Sequence, residues 1–190
     1  REELIEDLAD FEKVDKAEIL KRFEKRYDLT SEEFKKMVPD INDKEALNNY
    51  YINNNYEIYD HFFSHLESRR PFDKILVEEI KKSNPEKSTE IFDFGCGGGQ
   101  VDYMLAQEGY QIILTEKNKK ELDFISYRFK KHKLKVKIVP YPIHKEFKSK
   151  FDIILCFDVL EHIPDSEFDE VIEQLKGLKK SDGKVMATVS

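Results

Sequence analysis

The chain has 190 residues, 37% of them charged and 39% hydrophobic, with a formal net charge of −7 at pH 7. That length allows one domain with a sizeable core, or one with an appended helical piece, and leaves two full domains strained. The composition excludes a bilayer-spanning apolar run, and the negative charge disfavours broad binding to nucleic acid or to a membrane surface.

The opening Arg1-Glu2-Glu3 is acidic rather than basic-then-apolar, so no signal peptide is read there; without an initiator Met the chain reads as less than a whole gene product. Cys96 and Cys156 are the only cysteines, too few for a disulfide framework or a zinc site, which points to the cytoplasm. Lysines between Lys117 and Lys137 cluster in sequence and read as solubilising faces.

From residue 1 to about 68 the pattern is helical. Leu4, Ile5 and Leu8 share a face of the first helix, with Phe11 beyond them. Asp15-Lys16-Ala17-Glu18 resembles a capping box and launches a helix whose stripe is Ile19, Leu20, Phe23 and Tyr27. Thr30-Ser31-Glu32-Glu33 reads as another helix start, leading to Phe34, Met37 and Val38 before Pro39. Such amphipathic helices need a partner, so they are read as a cap on the sheet or as the surface of a homo-oligomer. Asn48 to His65 is rich in Tyr, Asn and Phe and reads as one helix that either lids a partly wet pocket or packs on the sheet. His61 and His65, one turn apart, read as a surface or pocket face rather than as metal ligands. Pro71 opens a further helix with Ile75, Leu76 and Ile80 inward, broken at Ser83-Asn84-Pro85.

The first strand is predicted at about Thr89 to Phe94, where Ile91, Phe92 and Phe94 make a buried apolar run. It gives way to Gly95-Cys96-Gly97-Gly98-Gly99, a turn that can take positive φ and admit a ligand to the backbone. A helix follows, through Val101, Met104 and Leu105 to about Glu108. A P-loop would need Gly-Lys-Ser/Thr, which Gly98-Gly99-Gln100 lacks. A dinucleotide fingerprint beginning at Gly95 and Gly97 would need a small residue where Gln100 stands, which disfavours a nicotinamide oxidoreductase.

Tyr110 to Thr115 reads as the second strand. Glu116, just past it, stands where nucleotide-binding α/β folds place an acid for two ribose hydroxyls; the plainer reading is an acid favoured by the dipole of a helix over 118–131. A third strand is read at Val136 to Val139 and a fourth at Phe151 to Phe157. A helix from Asp165 to Lys180 and a fifth strand from Lys184 to Val189 complete the series. Strands alternating with helices predict an α/β Rossmann-like fold, a mostly parallel sheet with helices on both faces.

Asp93-x-Gly95-x-Gly97-x-Gly99, with Phe151-Asp152 and Leu160-Glu161-His162-Ile163 around the fourth strand, resembles the first and fourth motifs of class I S-adenosylmethionine-dependent methyltransferases, over roughly residues 71–190. The resemblance implies a helical cap over 1–70 and an S-adenosylmethionine-binding domain over 71–190. Because that family's sheet has seven strands, it also implies a chain cut short after strand five. It implies S-adenosylmethionine as cofactor, held by Asp93, Gly95, Cys96, Gly97, Gly99, Glu116 and Asp158. The family's adenine-contacting acid after strand three is replaced by Pro140-Tyr141-Pro142-Ile143-His144, which leaves adenine to backbone groups or to stacking on Tyr141 or Ile143.

The implied reaction is methyl transfer to an O or N nucleophile of a small metabolite. His162 is the candidate catalytic base for a hydroxyl acceptor, because imidazole titrates near neutrality. Asp158, Glu161 and His162 also resemble the group to which some ubiquinone-pathway O-methyltransferases bind a divalent ion; no metal is assigned here. A non-catalytic cofactor-binding or partner-binding module is the alternative.

Overall fold

The computed structural model describes residues 2–66, 70–84, 86–139, 141 and 147–188, without the side chains of His65 and Arg70. Among the described residues, six helices precede the first strand: α1 (Glu2–Glu12), α2 (Lys16–Glu24), α3 (Arg26–Met37), α4 (Lys44–Asn53), α5 (Glu57–Leu66) and α6 (Arg70–Ser83). Then come β1 (Glu90–Phe94), α7 (Gln100–Gln107), β2 (Gln111–Thr115), α8 (Lys119–Lys131), β3 (Lys137–Ile138), β4 (Phe151–Phe157), a 3-10 turn (Leu160–His162), α9 (Asp165–Leu178) and β5 (Lys179–Thr188). The sheet is parallel throughout, in the order β3-β2-β1-β4-β5.

Several helix starts follow from their caps. Asp15 accepts from the Glu18 N–H (2.7 Å), Asp43 from the N–H groups of Glu45 and Ala46, and Asn118 from the Glu121 N–H (3.0 Å). Thr30 starts nothing. It lies inside α3, which begins at Arg26 straight after α2, so Tyr27 leaves the predicted stripe and stands 64% exposed. The aromatic stretch forms two helices rather than one. Asn54 stops α4, and its buried amide donates to Tyr50 O (3.2 Å) and to the Glu57 carboxylate (2.7 Å), turning the chain into α5. On α6, Leu76, Val77 and Ile80 face inward, whereas Ile75 is exposed. The fifth strand starts earlier than its apolar run: Phe151 pairs with Lys179 and Ile153 with Lys184, so the residues between bulge out of the ladder.

Side chains alternate across the sheet. Ile91, Ile153 and Leu155 face a core shared with α6, α7 and α8. Phe92, Phe94, Ile154 and Cys156 face Val171, Leu175 and Leu178 of α9. A third cluster joins Leu4, Leu8, Ile19, Phe23 and Phe62 of the N-terminal helices to Phe124 of α8, so these helices lie against the sheet's own helical layer.

An ion-pair clamp reinforces that contact. Asp7, fully buried on α1, meets Arg128 (3.1 Å), Lys131 (2.9 Å) and His132 (3.0 Å). Glu3, Asp7 and His132 bring three ligand atoms within 4.8 Å of one another, but the Arg128 and Lys131 cations already neutralise Asp7 and would repel a metal.

The chain runs β1 to β2 to β3 toward one edge and returns to β4 and β5 on the other. The connections therefore diverge between β1 and β4, and in open α/β sheets the crevice beyond the strands' carboxyl ends at such a point binds ligands.

Candidate functional site

Beyond β1 the backbone takes positive φ at Gly95 (74°), Gly97 (52°) and Gly99 (66°). Thr115 O, at the end of β2, accepts from the N–H groups of Gly95 (3.0 Å) and Cys96 (3.2 Å), and the Gly99 N–H donates to Cys96 O (3.0 Å). The Gly97 N–H donates to Glu116 Oε2 (2.9 Å). Glu116 Oε1 accepts from Lys117 (2.6 Å) and Asn118 (3.0 Å). Burial, and then the neighbouring Glu121 carboxylate, raise the Glu116 carboxyl above its usual range, against the three backbone donors.

These groups line a cavity of about 510 Å³. Of the sequence-predicted residues, Asp93, Gly95, Cys96, Gly97, Glu116, Asp158 and His162 line it together; Gly99 instead turns the loop into α7 behind them. Asp158 stands at φ 53°, a conformation Asp tolerates better than most residues. Its backbone N–H donates to Thr188 Oγ1 (3.2 Å), whose hydroxyl donates back to Asp158 Oδ1 (2.7 Å). His162 is exposed at the rim, its N–H bonded to Val159 O (3.0 Å). The ligand atoms of Asp158, Glu161 and His162 do not form a group within 4.8 Å of one another. Tyr141 lines the cavity with the Lys117 ammonium 4.8 Å from its ring centre; Pro140 and 142–146 lie outside the described residues.

Strand alternation turns Asp93 toward α7, where Asp102 is fully buried. Burial pushes the Asp93 carboxyl up to about 7, with a hydrogen bond to Asp102 opposing and Glu116 assisting. Burial, and then Asp93 itself, raise Asp102 well above the carboxylate range. Neither Asp102 oxygen has a hydrogen-bond partner, so burial and mutual repulsion favour a proton on this pair of carboxyls.

Sequence reasoning missed Thr115, Asp102 and Glu121, and missed the pairing of His61, which it had read as a surface or pocket face. Thr115 Oγ1 is buried against the cavity and has no hydrogen-bond partner; its place at the end of β2, beside the glycine turn, was the available signal. Asp102 carries no local signal. His61 and Glu121 pair at 2.7 Å across 60 residues of sequence. Burial would lower the His61 imidazole, but Glu121 foremost, then Glu57 and Glu116, carry it up to about 10, so it is charged at neutral pH. The His61 side chain lines the cavity and is 45% accessible there.

The N-terminal helices also shape the site. A β-carbon on Gly98 would lie 2.2 Å from Phe62 Cζ of α5, so only glycine lets that helix rest on the loop. Of the predicted lid stretch, Tyr51, Glu57, Asp60, His61 and Ser64 line the cavity, while Tyr50 and Tyr59 are buried as packing. The stretch is therefore divided between cavity-lining and packing residues.

Residues 92–185 match a family described as a methyltransferase domain. A ubiquinone biosynthesis O-methyltransferase of Pelagibacter ubique (strain HTCC1062) is 31% identical over 133 residues, 68% of this chain and 55% of the relative. The chain spans about half the length of the curated relatives it matches. Among solved structures, a protein of Methanococcus maripaludis named as an S-adenosyl-L-methionine-dependent methyltransferase superposes with a TM-score of 0.58 at 17% identity, covering 70% of this chain and 62% of its own. Coclaurine N-methyltransferase, bound to N-methylheliamine and SAH, superposes with a TM-score of 0.51 at 16% identity, over 60% of this chain and 34% of its own. At such identities the structural likeness concerns the fold.

Proposed function

We propose, from the premise that this chain belongs to the class I S-adenosylmethionine-dependent methyltransferases, that it transfers the cofactor's methyl group to an O or N nucleophile of a small molecule. The observation that supports this is the contact between Glu116 and the Gly97 N–H at 2.9 Å, which brings the acid proposed for the ribose and a bare glycine backbone to one cleft at the sheet's switch point.

The residues suit the cofactor. The cleft has the volume of a small-molecule site, the buried Thr115 hydroxyl awaits a partner, and Gly97 presents no side chain to the cavity. Glu116 would accept from the ribose hydroxyls, Asp93 would face the amino-acid portion, and Gly95, Cys96 and Gly97 would lie along it, with Gly99 setting the loop's exit. Bound S-adenosylmethionine supplies an activated methyl on a sulfonium whose departure leaves a neutral thioether. The chain's task is then to hold the acceptor in line with that methyl and to exclude water. Asp158, anchored by Thr188, would border the transfer, and His162 at the rim would take the proton of a hydroxyl acceptor.

Residues 1–70 would act as a helical cap on a cofactor-binding domain over 71–190 and as the surface for self-association. Among the described residues no helix is long and apolar enough to cross a membrane; with both thiols free, we place the protein in the cytoplasm. Calorimetric titration with S-adenosylhomocysteine and with NAD tests the reading: binding of the first alone supports it, and binding of NAD alone sinks it. Cofactor binding without turnover on any acceptor, in a chain extended to its relatives' length, would favour a non-catalytic binding module instead.

A further inference from the structure

The α-carboxylate of S-adenosylmethionine needs a donor, and the glycine loop has little left to offer. Its N–H groups at Gly95, Cys96, Gly97 and Gly99 already serve Thr115, Glu116 and Cys96, and Gly98 lies under Phe62. Acids at Asp93, Glu116 and Glu121 dominate that end of the cavity, so an unpaired anion would be repelled. Three cation-forming side chains among the described residues line the cavity. Lys117 sits over Tyr141, and His162 lies at the far rim after β4. His61 stands above the loop, its Nδ1 3.5 Å from the point where a Gly97 β-carbon would be.

Resting on the proposed cofactor site, we propose that His61 is a cofactor-binding residue whose second ring nitrogen, Nε2, donates to that carboxylate. The ring is built for this. Nδ1 is fixed on Glu121, whose side chain is only 1% exposed and is itself seated in the first turn of α8. That bond sets the ring's orientation and leaves Nε2 as the donor for a ligand. Because His61 comes from α5, the contact would also tie the N-terminal helices to a loaded site.

The test compares the binding of S-adenosylhomocysteine with that of its analogue in which hydrogen replaces the α-carboxylate, by calorimetry on the wild-type chain, His61→Gln and Glu121→Gln, with thermal melts to confirm folding. The wild type should prefer the carboxylate-bearing ligand by about tenfold or more, the worth of one charge-assisted hydrogen bond. His61→Gln should lose most of that preference by weakening S-adenosylhomocysteine alone. Glu121→Gln, which keeps the shape beneath the ring, should move the same way and carries the test if His61→Gln does not fold. Equal weakening of both ligands, or an undiminished preference in the variants, would overturn the assignment and leave His61 as packing. A wild type that binds neither ligand would overturn the cofactor site itself.

Discussion

Phe62 on α5 covers Gly98 of the glycine loop so closely that an added β-carbon would sit 2.2 Å from Phe62 Cζ. Gly98→Ala should therefore destabilise the chain by about 1–3 kcal/mol through overpacking. Phe62→Ala should cost more by itself, since it empties a fully buried site. The double variant should be less damaged than the sum of the two, because each change makes room for the other. Urea unfolding of the four proteins measures this coupling, and strict additivity would show that the ring does not rest on the loop.

The Asp93–Asp102 pair predicts a pH-dependent stability. A carboxyl whose folded pKa lies above its unfolded value keeps a proton that the unfolded chain has released, so its effect is to lower stability as pH rises. For Asp93 the window runs from its ordinary 3.8 to about 7, with Asp102 extending it upward. Asp102→Asn removes one buried acid and supplies an amide donor to the other. The ligand-free variant should melt higher than the wild type at pH 8 and show a flatter decline between pH 5 and 8. A lower melting point at pH 8 would mean that the burial of the two acids does not destabilise the fold at that pH.

Glu116 holds three backbone N–H groups, from Gly97, Lys117 and Asn118. Glu116→Ala should weaken S-adenosylhomocysteine by about tenfold or more, since it removes a charged acceptor. Gly97→Val should abolish binding, because a branched residue is strained at φ 52° and would fill the cavity. Circular dichroism should find both variants folded. Unaltered affinity in either would place the ligand elsewhere.

Asp7 lies buried among Arg128, Lys131 and His132, and Arg128 in turn donates to Gln100 Oε1 (2.8 Å) at the cavity wall. Asp7→Ala takes the 3.1 Å carboxylate from Arg128, 3% exposed, and leaves it the more distant Glu3 at 3.9 Å, and should cost about 3–5 kcal/mol. Chemical denaturation gives the number. A change under about 0.5 kcal/mol, typical of surface substitutions, would contradict the clamp.

What could be read from the sequence was local. The run Phe151 to Phe157 is β4 as predicted, and β1 and β2 differ from their predicted spans by one residue each at the start. Glycine spacing and strand ends placed Asp93, Gly97, Glu116 and Asp158 on one cleft because the parallel sheet forces strand termini together. Other features depend on chain crossings that no local period records. Asp7 and Arg128 are 121 residues apart, and His61 and Glu121 are 60 apart. The break at Asn54 was hidden because its cap bonds to Tyr50 and Glu57 resemble, in sequence, a continuing polar helix face. Thr30 had the look of a cap, but the helix already running from Arg26 left it no N-terminus to satisfy.

The most direct measurement is a crystal structure of the chain grown with S-adenosylhomocysteine. The ribose hydroxyls should lie on Glu116, the adenosyl group against Gly97, and the sulfur toward the turn at Leu160–His162. Ligand density outside this cleft, or none at saturating ligand, would contradict the assignment of this site.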